Sequence, residues 1–277
     1  MKVTSPAKVN LHLRVIRKRP DGYHDIATLM QKIDLRDTME FALRKEGIVI
    51  KCPGFPQLEN EDNIVHRAVK ALFFETGCKN GVEIILRKVI PLGAGLGGGS
   101  SNAATALVTL NDMLGLSLPK ENLMRIGARL GADIPFFIYG DRAWAFGIGD
   151  RLEPAENLPP LWFVLVNPRF ELSTRRVYEG LNLRLTNPII NYSIPRFSTI
   201  TDVVEGLHND LEKVSLVLYP ALKELKDKLI GVGALGALMS GSGPTVYGVF
   251  EREDKALQAA DILKKNKNWF VKAVRSL

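Results

Sequence analysis

Apolar and polar side chains alternate near the start of the chain. From residue 8 to residue 15 the odd positions are apolar, and the even positions hold Lys8, Asn10, His12 and Arg14. Because successive side chains of a β-strand point to opposite faces, this spacing predicts a strand with one apolar and one polar face. The apolar face is expected in the core, and the four polar residues are expected to share the other face.

The pattern along the rest of the chain predicts strands interspersed with helices. Runs rich in β-branched residues favour strands, whereas longer segments with capping residues favour helices. A closing strand–helix–strand unit is typical of a ferredoxin-like arrangement. The predicted strands span 82–90, 143–147, 161–167, 246–250 and 269–274, and the predicted helices span 61–74, 102–114, 119–131, 173–181, 209–218, 221–230 and 255–264.

Composition places the chain among ordinary globular proteins. It has 277 residues, of which 46% are hydrophobic and 24% charged, and these values exclude disordered and fibrous classes. Pro154, Pro159 and Pro160 punctuate the pattern, so we predict two domains, residues 1–157 and 158–277. The two cysteines exclude a disulfide framework and favour a reducing, cytoplasmic setting. We expect neither a signal peptide nor a membrane span.

Charge is distributed unevenly along the chain. The formal net charge is +7, yet residues 1–20 hold six basic and no acidic residues, and residues 264–277 hold five basic and no acidic residues. The segment between these ends is therefore net acidic. This distribution argues against a general basic coat for nucleic acid, and no nucleic-acid or membrane partner is expected. The basic N-terminal segment instead suits a small anionic ligand.

A glycine-rich segment connects the strand predicted at 82–90 to the helix predicted at 102–114. Backbone N–H groups in such a loop form an anion site with the helix N-terminus, and phosphate is the expected guest. One alternative is a structural turn with serine as the helix N-cap. A dinucleotide site is another, although no acidic residue ends an apolar strand about twenty residues later, and no lysine follows the glycines as in a P-loop. The segment consists of Pro91, Leu92, Gly93, Ala94, Gly95, Leu96, Gly97, Gly98, Gly99, Ser100 and Ser101.

Three segments resemble the motifs of the GHMP kinases (galacto-, homoserine, mevalonate and phosphomevalonate kinases). They are residues 5–11 (SPAKVNL), residues 91–104 (PLGAGLGGGSSNAA) and residues 240–245 (SGSGPT). The resemblance implies an α+β, two-lobed GHMP kinase fold, with a ribosomal-protein-like N-terminal lobe, a ferredoxin-like C-terminal lobe and the active site in the cleft between them. It also implies ATP as co-substrate, with its phosphates held by residues 91–101.

Two further segments narrow the resemblance. Residues 19–25 (RPDGYHD) and 131–135 (GADIP) resemble the branch of this family that phosphorylates a cytidine-diphosphate-linked sugar alcohol in the non-mevalonate isoprenoid pathway. The resemblance implies that Tyr23 and His24 read the cytosine. It places Thr174 and Tyr178 at the cytidyl end of the substrate.

The remaining roles implied by the resemblance concern phosphoryl transfer. Lys8 and Asp133 match the catalytic pair, Asn10 lies beside them as a substrate contact, and Asn63 matches a segment beside the adenine. Asp133 is expected to accept or orient the hydroxyl proton, and Lys8 to stabilise the transferring phosphoryl group. Mg²⁺ is expected to bridge the ATP phosphates, with Ser101 as a possible ligand.

Each of these residues alone also has an ordinary structural explanation. Asp133 would suit a helix N-cap, Lys8 a solvated surface position and His24 a surface loop. For the whole chain, the alternatives are mevalonate or homoserine kinase, an RNA-binding protein built on the N-terminal lobe's fold, and a dinucleotide oxidoreductase. We expect a monomer or a weak homodimer.

Overall fold

The computed structural model describes residues 1–155, 158–181, 194–195 and 197–277. The predicted division between residues 157 and 158 falls beside Glu156 and Asn157, which lie outside the described residues, so this boundary stays a prediction. The chain divides into two units, each assembled from separate segments. Unit 1 comprises Met1–Ala7, Leu35–Leu92 and Gly97–Asp141, and unit 2 comprises Lys8–Asp34, Gly93–Leu96 and Arg142–Leu277.

The first two strands are the longest of the described strands, and each runs from one unit into the other. The alternation around residues 8–15 correctly predicts the first of them, whereas the second was not predicted. The strands are β1 (Lys2–Lys18), β2 (His24–Arg44), β3 (Ile48–Lys51), β4 (Gly81–Arg87), β5 (Arg142–Gly147), β6 (Arg151–Pro154), β7 (Trp162–Asn167), β8 (His208–Asn209), β9 (Gly236–Met239), β10 (Val246–Phe250) and β11 (Phe270–Arg275).

The helices lie close to their predicted positions, with two additions that were not predicted, α4 and α6. A short 3-10 helix spans Pro56–Leu58. The α-helices are α1 (Ile64–Thr76), α2 (Gly98–Met113), α3 (Lys120–Ala128), α4 (Ile134–Tyr139), α5 (Thr174–Glu179), α6 (Ile200–Gly206), α7 (Asp210–Leu218), α8 (Ala221–Gly231) and α9 (Glu253–Leu263). None of the helices in the described ranges is long and apolar enough to cross a membrane.

Unit 1 packs α1–α4 together beside a sheet. In that sheet β4 pairs antiparallel with the second half of β2 and parallel with β3. Residues such as Val69 of α1, Leu107 of α2 and Ile84 of β4 are fully buried. Each fully buried side chain of this kind contributes about 1.5–3 kcal/mol relative to an exposed one.

Unit 2 contains an antiparallel sheet in the order β11-β7-β10-β9. Taken in chain order, these strands have the arrangement of a ferredoxin-like fold, so the predicted arrangement of this part of the chain is confirmed. Leu229 of α8 and Leu263 of α9 are buried in one apolar cluster with Val164 and Val246 of the sheet. Within the same unit β5 pairs with the first half of β2, and β8 pairs with β1.

The polar face of β1 is buried from Lys8 to His12, whereas Arg14, the fourth residue predicted for this face, is exposed. Val9 is fully buried, as expected, but Lys8, Asn10 and His12 are also only 4%, 3% and 4% exposed. Buried polar groups are costly unless they are hydrogen-bonded. This face therefore requires partners from neighbouring segments, and those partners define the candidate site.

Candidate active site

Lys8 is held by a short chain of buried hydrogen bonds in unit 2. The Lys8 Nζ donates to Asn10 Oδ1 at 2.6 Å, and Asn10 Nδ2 donates to Thr28 Oγ1 at 2.8 Å. The Thr28 hydroxyl in turn donates to the backbone oxygen of His12 at 2.7 Å. Lys8 is thus a buried, positioned cation, and the explanation of a solvated surface lysine is wrong for this residue.

The glycine-rich segment contacts the first motif through its backbone. The Lys8 N–H donates to Leu96 O at 3.0 Å, and Ser240 Oγ donates to Gly95 O at 2.9 Å. Gly95 has φ +76°, and a Cβ there would lie 2.1 Å from Ser240 O. Only glycine fits at position 95, because any side chain would collide with Ser240 O. Gly95 thus allows the loop and the third motif to lie in direct contact.

The third motif, residues 240–245, connects β9 to β10. Its turn also reaches the buried cation, because a Cβ added at Gly241 would lie 3.3 Å from Asn10 Oδ1 and 3.6 Å from Lys8 Nζ. Asn209 Nδ2 fixes the turn by donating to Met239 O at 2.8 Å and to Gly241 O at 2.7 Å. The motif is therefore both a hairpin turn and part of the Lys8 site.

The residues predicted for the cytidyl end extend from this turn. Thr174, the first residue of α5, forms a hydroxyl–hydroxyl hydrogen bond with Ser242 at 2.8 Å. One helical turn further, Tyr178 packs against His24 with ring centroids 5.0 Å apart and ring planes tilted by 31°. Tyr23 is 62% exposed. Unit 2 thus links Lys8 and Asn10, through the third motif, to Thr174, and α5 carries Tyr178 to His24.

Burial, followed by the positive charge of Lys18, lowers the pKa of His24 below its ordinary value. The neutral ring is therefore favoured at neutral pH, and a neutral imidazole has one donor and one acceptor nitrogen. This combination suits the edge of a nucleobase.

The basic residues before His24 are largely paired within their own turn. Arg17 and Arg19 form ion pairs with Asp25, and Arg19 pairs with Asp21 at 2.7 Å. The side-chain hydrogen bond from Arg19 lowers the pKa of Asp21. These pairs order the turn, and they offset much of the positive charge that the sequence suggested for attracting anions.

His12, which shares the polar face of β1, lies among aromatic rings. Its ring centroid is 5.3 Å from that of His208 and 5.8 Å from that of Trp144, and Nδ1 lies 2.8 Å from Gly206 O. Burial is the main cause that lowers the pKa of His12. A buried neutral ring in these surroundings packs the strand in place.

In unit 1 the loop leads directly into α2. The helix begins at Gly98 with Gly97 as its N-cap, and no side chain caps it. The explanation of a serine N-cap is therefore wrong, and the N–H groups of the first turn receive no capping side chain. Ser101 is fully buried and accepts a hydrogen bond from Ser5 Oγ at 2.7 Å.

A buried ion pair anchors both ends of this loop in unit 1. Asp37 Oδ1 accepts the N–H groups of Val89 and Ile90 at 2.7 and 2.9 Å, just before the loop. Asp37 Oδ2 accepts hydrogen bonds from Lys88 Nζ, before the loop, and from Asn102 Nδ2, just after the loop. The side chains of Asp37 and Lys88 are 0% and 3% exposed.

A cavity of about 200 Å³ in unit 1 adjoins this ion pair, with Asn63, Lys88, Leu92 and Gly99 among its lining residues. The Asn63 side chain caps α1, because its Oδ1 accepts from the Val65 N–H at 2.8 Å and its Nδ2 donates to Leu58 O at 2.7 Å. Asn63 thus lines the cavity, and its amide shapes the wall. The predicted contact of Asn63 with adenine stays a prediction.

Asp133 occupies the N-cap position of α4, yet its side chain makes no capping hydrogen bond. The structural explanation for this residue is therefore not supported. Asp133 belongs to unit 1 and Lys8 to unit 2, and their partnership stays a prediction.

Sequence reasoning missed the residues that support the site. Thr28, Asp37, Lys88 and Tyr247 are isolated polar residues in strands or beside them, and the sequence offers no motif that marks them. Tyr247 is fully buried and donates to Asn10 O at 2.8 Å. A charged residue such as Asp37 inside a strand pattern is the one signal that was available, because charges are rarely buried without a partner.

Comparisons with known proteins identify the family of the chain. The model described as "GHMP kinases N terminal domain" matches residues 63–141, and "GHMP kinases C terminal" matches residues 197–268. A protein of Syntrophus aciditrophicus named 4-diphosphocytidyl-2-C-methyl-D-erythritol kinase is 59% identical over 277 residues, with 100% of this chain and 99% of that protein covered. The chain belongs to the 4-diphosphocytidyl-2-C-methyl-D-erythritol kinase family. A protein of Syntrophotalea carbinolica with the same name is 51% identical, with 98% and 96% covered.

Solved structures confirm the fold of this kinase family. A crystal structure titled 4-(cytidine 5'-diphospho)-2C-methyl-D-erythritol kinase has a TM-score of 0.81 and 33% identity, covering 99% of each chain. A homoserine kinase from Cytophaga hutchinsonii has a TM-score of 0.73 at 20% identity, covering 100% of this chain and 94% of its own, and shows the fold alone. The predicted α+β GHMP kinase fold and the predicted kinase activity with ATP as co-substrate are confirmed.

Proposed function

We propose that this protein transfers the γ-phosphoryl group of ATP to the 2-hydroxyl of 4-diphosphocytidyl-2-C-methyl-D-erythritol, in the non-mevalonate route to isoprenoid precursors. The observation that carries the proposal is the buried Lys8 ammonium. Asn10 holds it, the third motif passes beside it, and its own backbone N–H is bound to the glycine-rich loop. A positioned cation in a water-poor site stabilises the charge of a transferring phosphoryl group.

The loop and the N-terminus of α2 supply the phosphate contacts in this proposal. Successive backbone N–H groups and the positive end of a helix dipole favour an anion. Gly97 caps α2 without a side chain, so the first-turn N–H groups are suited to phosphate oxygens. The adjoining cavity, lined by Asn63 and Leu92, suits the nucleoside.

Asp133 is the proposed partner of the acceptor hydroxyl. The Asp133 side chain makes no capping bond to α4. A carboxylate of this kind accepts the hydroxyl proton or orients the hydroxyl for in-line attack. Lys8 then stabilises the charge that develops on the oxygen.

The cytidyl end of the substrate is proposed to lie against unit 2. His24 and Tyr178 present a tilted pair of rings, Tyr23 an exposed ring and Thr174 a hydroxyl held by Ser242. Aromatic faces stack with a base, and the neutral His24 ring offers hydrogen bonds to its edge. Asn10 stays the proposed substrate contact nearest to Lys8.

Mg²⁺ is proposed to enter bound to ATP. Among the described residues no cluster of three or more His, Cys, Asp or Glu side chains could hold a metal. This fits Mg²⁺, which is commonly held by substrate phosphates and few protein ligands. The Ser101 hydroxyl, however, is buried against Ser5 and does not fit as a ligand. When bound, the ion would neutralise phosphate charge.

We further propose that the protein is located in the cytoplasm, since Cys52 and Cys78 are both free cysteines. The working form that we propose is a monomer or a weak homodimer. The lobe boundary between residues 157 and 158 is supported by the family matches, which end at 141 and resume at 197. The partner we propose is the small cytidine-diphosphate-linked substrate.

A substrate panel tests the proposal. Purified protein with ATP and Mg²⁺ is expected to phosphorylate the cytidyl substrate and to leave mevalonate and homoserine unchanged. Turnover of mevalonate or homoserine alone would overturn the substrate assignment, as would ATP turnover that depends on RNA. In the same assay Asp133→Asn is expected to lower kcat by about 10²- to 10⁴-fold without loss of ATP-analogue binding. Asp112→Asn, at an exposed aspartate of α2, is the control and should keep normal kcat.

A further inference from the structure

The buried chain Lys8–Asn10–Thr28 contains a residue to which the proposed reaction gives no role. Thr28 lies on β2, is 2% exposed, and was not predicted from the sequence. It joins the chain only through Asn10, whose Nδ2 donates to the Thr28 hydroxyl at 2.8 Å. Its position is fixed by the strand pairing of Thr28 with Ala145 of β5.

The direction of each hydrogen bond follows from the chemistry of the groups. A hydroxyl has one proton, and Thr28 donates it to the backbone oxygen of His12, which can only accept. The Thr28 oxygen is therefore left with acceptor capacity for Asn10. The Asn10 amide therefore turns its Nδ2 donor toward the Thr28 oxygen. Its Oδ1 consequently faces the Lys8 ammonium at 2.6 Å.

The opposite orientation of the Asn10 amide is disfavoured at both ends. A flipped amide would place its NH₂ group against the Lys8 ammonium, where two donors would meet. Its oxygen would meet a Thr28 hydroxyl whose proton is already used at His12 O. The Asn10 backbone is also fixed, because the Tyr247 hydroxyl donates to Asn10 O at 2.8 Å. Thr28 thus fixes the orientation of the Asn10 amide through its Nδ2 atom, whereas Lys8 binds the Oδ1 atom.

We propose that Thr28 is a positioning residue for Lys8, acting through the orientation of the Asn10 amide. This inference rests on the proposed role of Lys8 in phosphoryl transfer. Removing the hydroxyl leaves Asn10 Nδ2 as a buried donor without its acceptor, and the amide shifts to find another. Because Lys8 Nζ is bound to the same amide, the cation moves with it.

The principal test compares Thr28→Val with Thr28→Ser. Thr28→Val removes the hydroxyl and keeps the shape, and it is expected to lower kcat by about 10- to 100-fold, the effect of a small misplacement at a reacting centre. KM for ATP and for the cytidyl substrate should stay near wild type. Thr28→Ser keeps the hydroxyl and should restore most of kcat. Thr109→Val, at a buried threonine of α2, controls for the loss of a buried hydroxyl.

A merely structural role would give a different pattern. Equal losses in Thr28→Val and Thr28→Ser, or a rise of both KM values with unchanged kcat, would overturn the inference. A double-mutant cycle sharpens the result, because Thr28→Val should cost nothing further in kcat once Lys8 is replaced in Lys8→Met. Independent, additive losses in that cycle would also contradict it.

A second measurement does not depend on the substrate. Side-chain NMR of ¹⁵N-lysine-labelled protein is expected to show a protected Lys8 ammonium signal in the wild type and in Thr28→Ser, and its loss or shift in Thr28→Val. An unchanged Lys8 signal in Thr28→Val would overturn the positioning role even if the kinase assay is positive. A changed signal in a protein that fails to phosphorylate the cytidyl substrate would leave the inference standing and overturn the proposed function alone.

Discussion

The two units each contain a buried polar network, and the two networks differ in charge. In unit 1 the Asp37 carboxylate accepts four hydrogen bonds, two from backbone N–H groups and one each from Lys88 and Asn102. In unit 2 the Lys8 ammonium is bound to a neutral amide, which a neutral hydroxyl supports. The first network contains the Asp37–Lys88 ion pair, whereas the second contains an ammonium whose position is set by an amide and a hydroxyl.

The difference indicates a division of labour. A compensated ion pair adds little field at a distance, but it fixes the segments that supply its donors. The Asp37 network brackets the glycine-rich loop, since it binds Ile90 before the loop and Asn102 after it. The Lys8 network fixes its ammonium through the Asn10 amide, and a positioned cation suits an anionic reacting group. Loss of the Asp37 network should lower the free energy of unfolding, and loss of the Lys8 network should lower kcat.

The largest expected effect comes from Asp37→Asn. This change leaves the Lys88 ammonium buried without its countercharge, and breaking a buried pair in this way costs about 3–5 kcal/mol. The free energy of unfolding, measured by urea titration, should fall by that amount. Asp34→Asn, on the same strand, is the matched control: Asp34 is 33% exposed and lies 3.6 Å from Arg275, so its loss should cost at most about 1 kcal/mol.

The double variant Asp37→Leu/Lys88→Met keeps this comparison informative if Asp37→Asn does not fold. Replacing both members of a buried pair by apolar side chains is often neutral or stabilising, so the double variant should be more stable than Asp37→Asn. Equal stability of Asp37→Asn and Asp34→Asn would show that the charged network does not hold unit 1 together.

The next effect in size is the loss of rate in Lys8→Met. Removing one group that stabilises transition-state charge lowers kcat by about 10²- to 10³-fold, which is about 2.7–4 kcal/mol. Lys2→Met, at a 69%-exposed lysine of the same strand, should leave kcat unchanged. A nearly normal kcat in Lys8→Met would remove the lysine from the reaction and end the contrast between the networks.

Local features of the fold could be predicted from the sequence. The period of two around residues 8–15 lies within β1, and Asn63 is the N-cap of α1, whose predicted start was within a few residues of the observed one. Such signals depend only on neighbouring residues. β2 was not predicted, although apolar and polar residues alternate from Lys32 to Phe41 and only Asp37 interrupts the apolar positions. The first part of β2 lacks this alternation, and its pairing with β5 makes it a strand.

The supporting residues of the candidate site could not be predicted, because their bonds join distant parts of the chain. Asp37 is 51 residues from Lys88, and Tyr247 is 237 residues from Asn10. Hydropathy alone also places polar side chains such as Lys8 and Asn10 in solvent, whereas the structure buries them among partners. Motifs marked Lys8, because the resemblance covers its neighbours, but no local pattern marked Thr28.

The smallest expected effect lies at the far end of the unit 2 site, in His24→Ala. Loss of the His24–Tyr178 ring contact, worth about 0.5–1.5 kcal/mol for an aromatic pair, should raise KM for the cytidyl substrate by about two- to tenfold and leave kcat and KM for ATP unchanged. Tyr219→Ala removes another ring contact of unit 2, with Phe170 at 5.3 Å, and should leave KM for the cytidyl substrate unchanged. Equal changes of both KM values in His24→Ala would make His24 a structural residue. A fall in kcat alone would instead show that His24, like the Lys8 network, contributes to the rate of phosphoryl transfer.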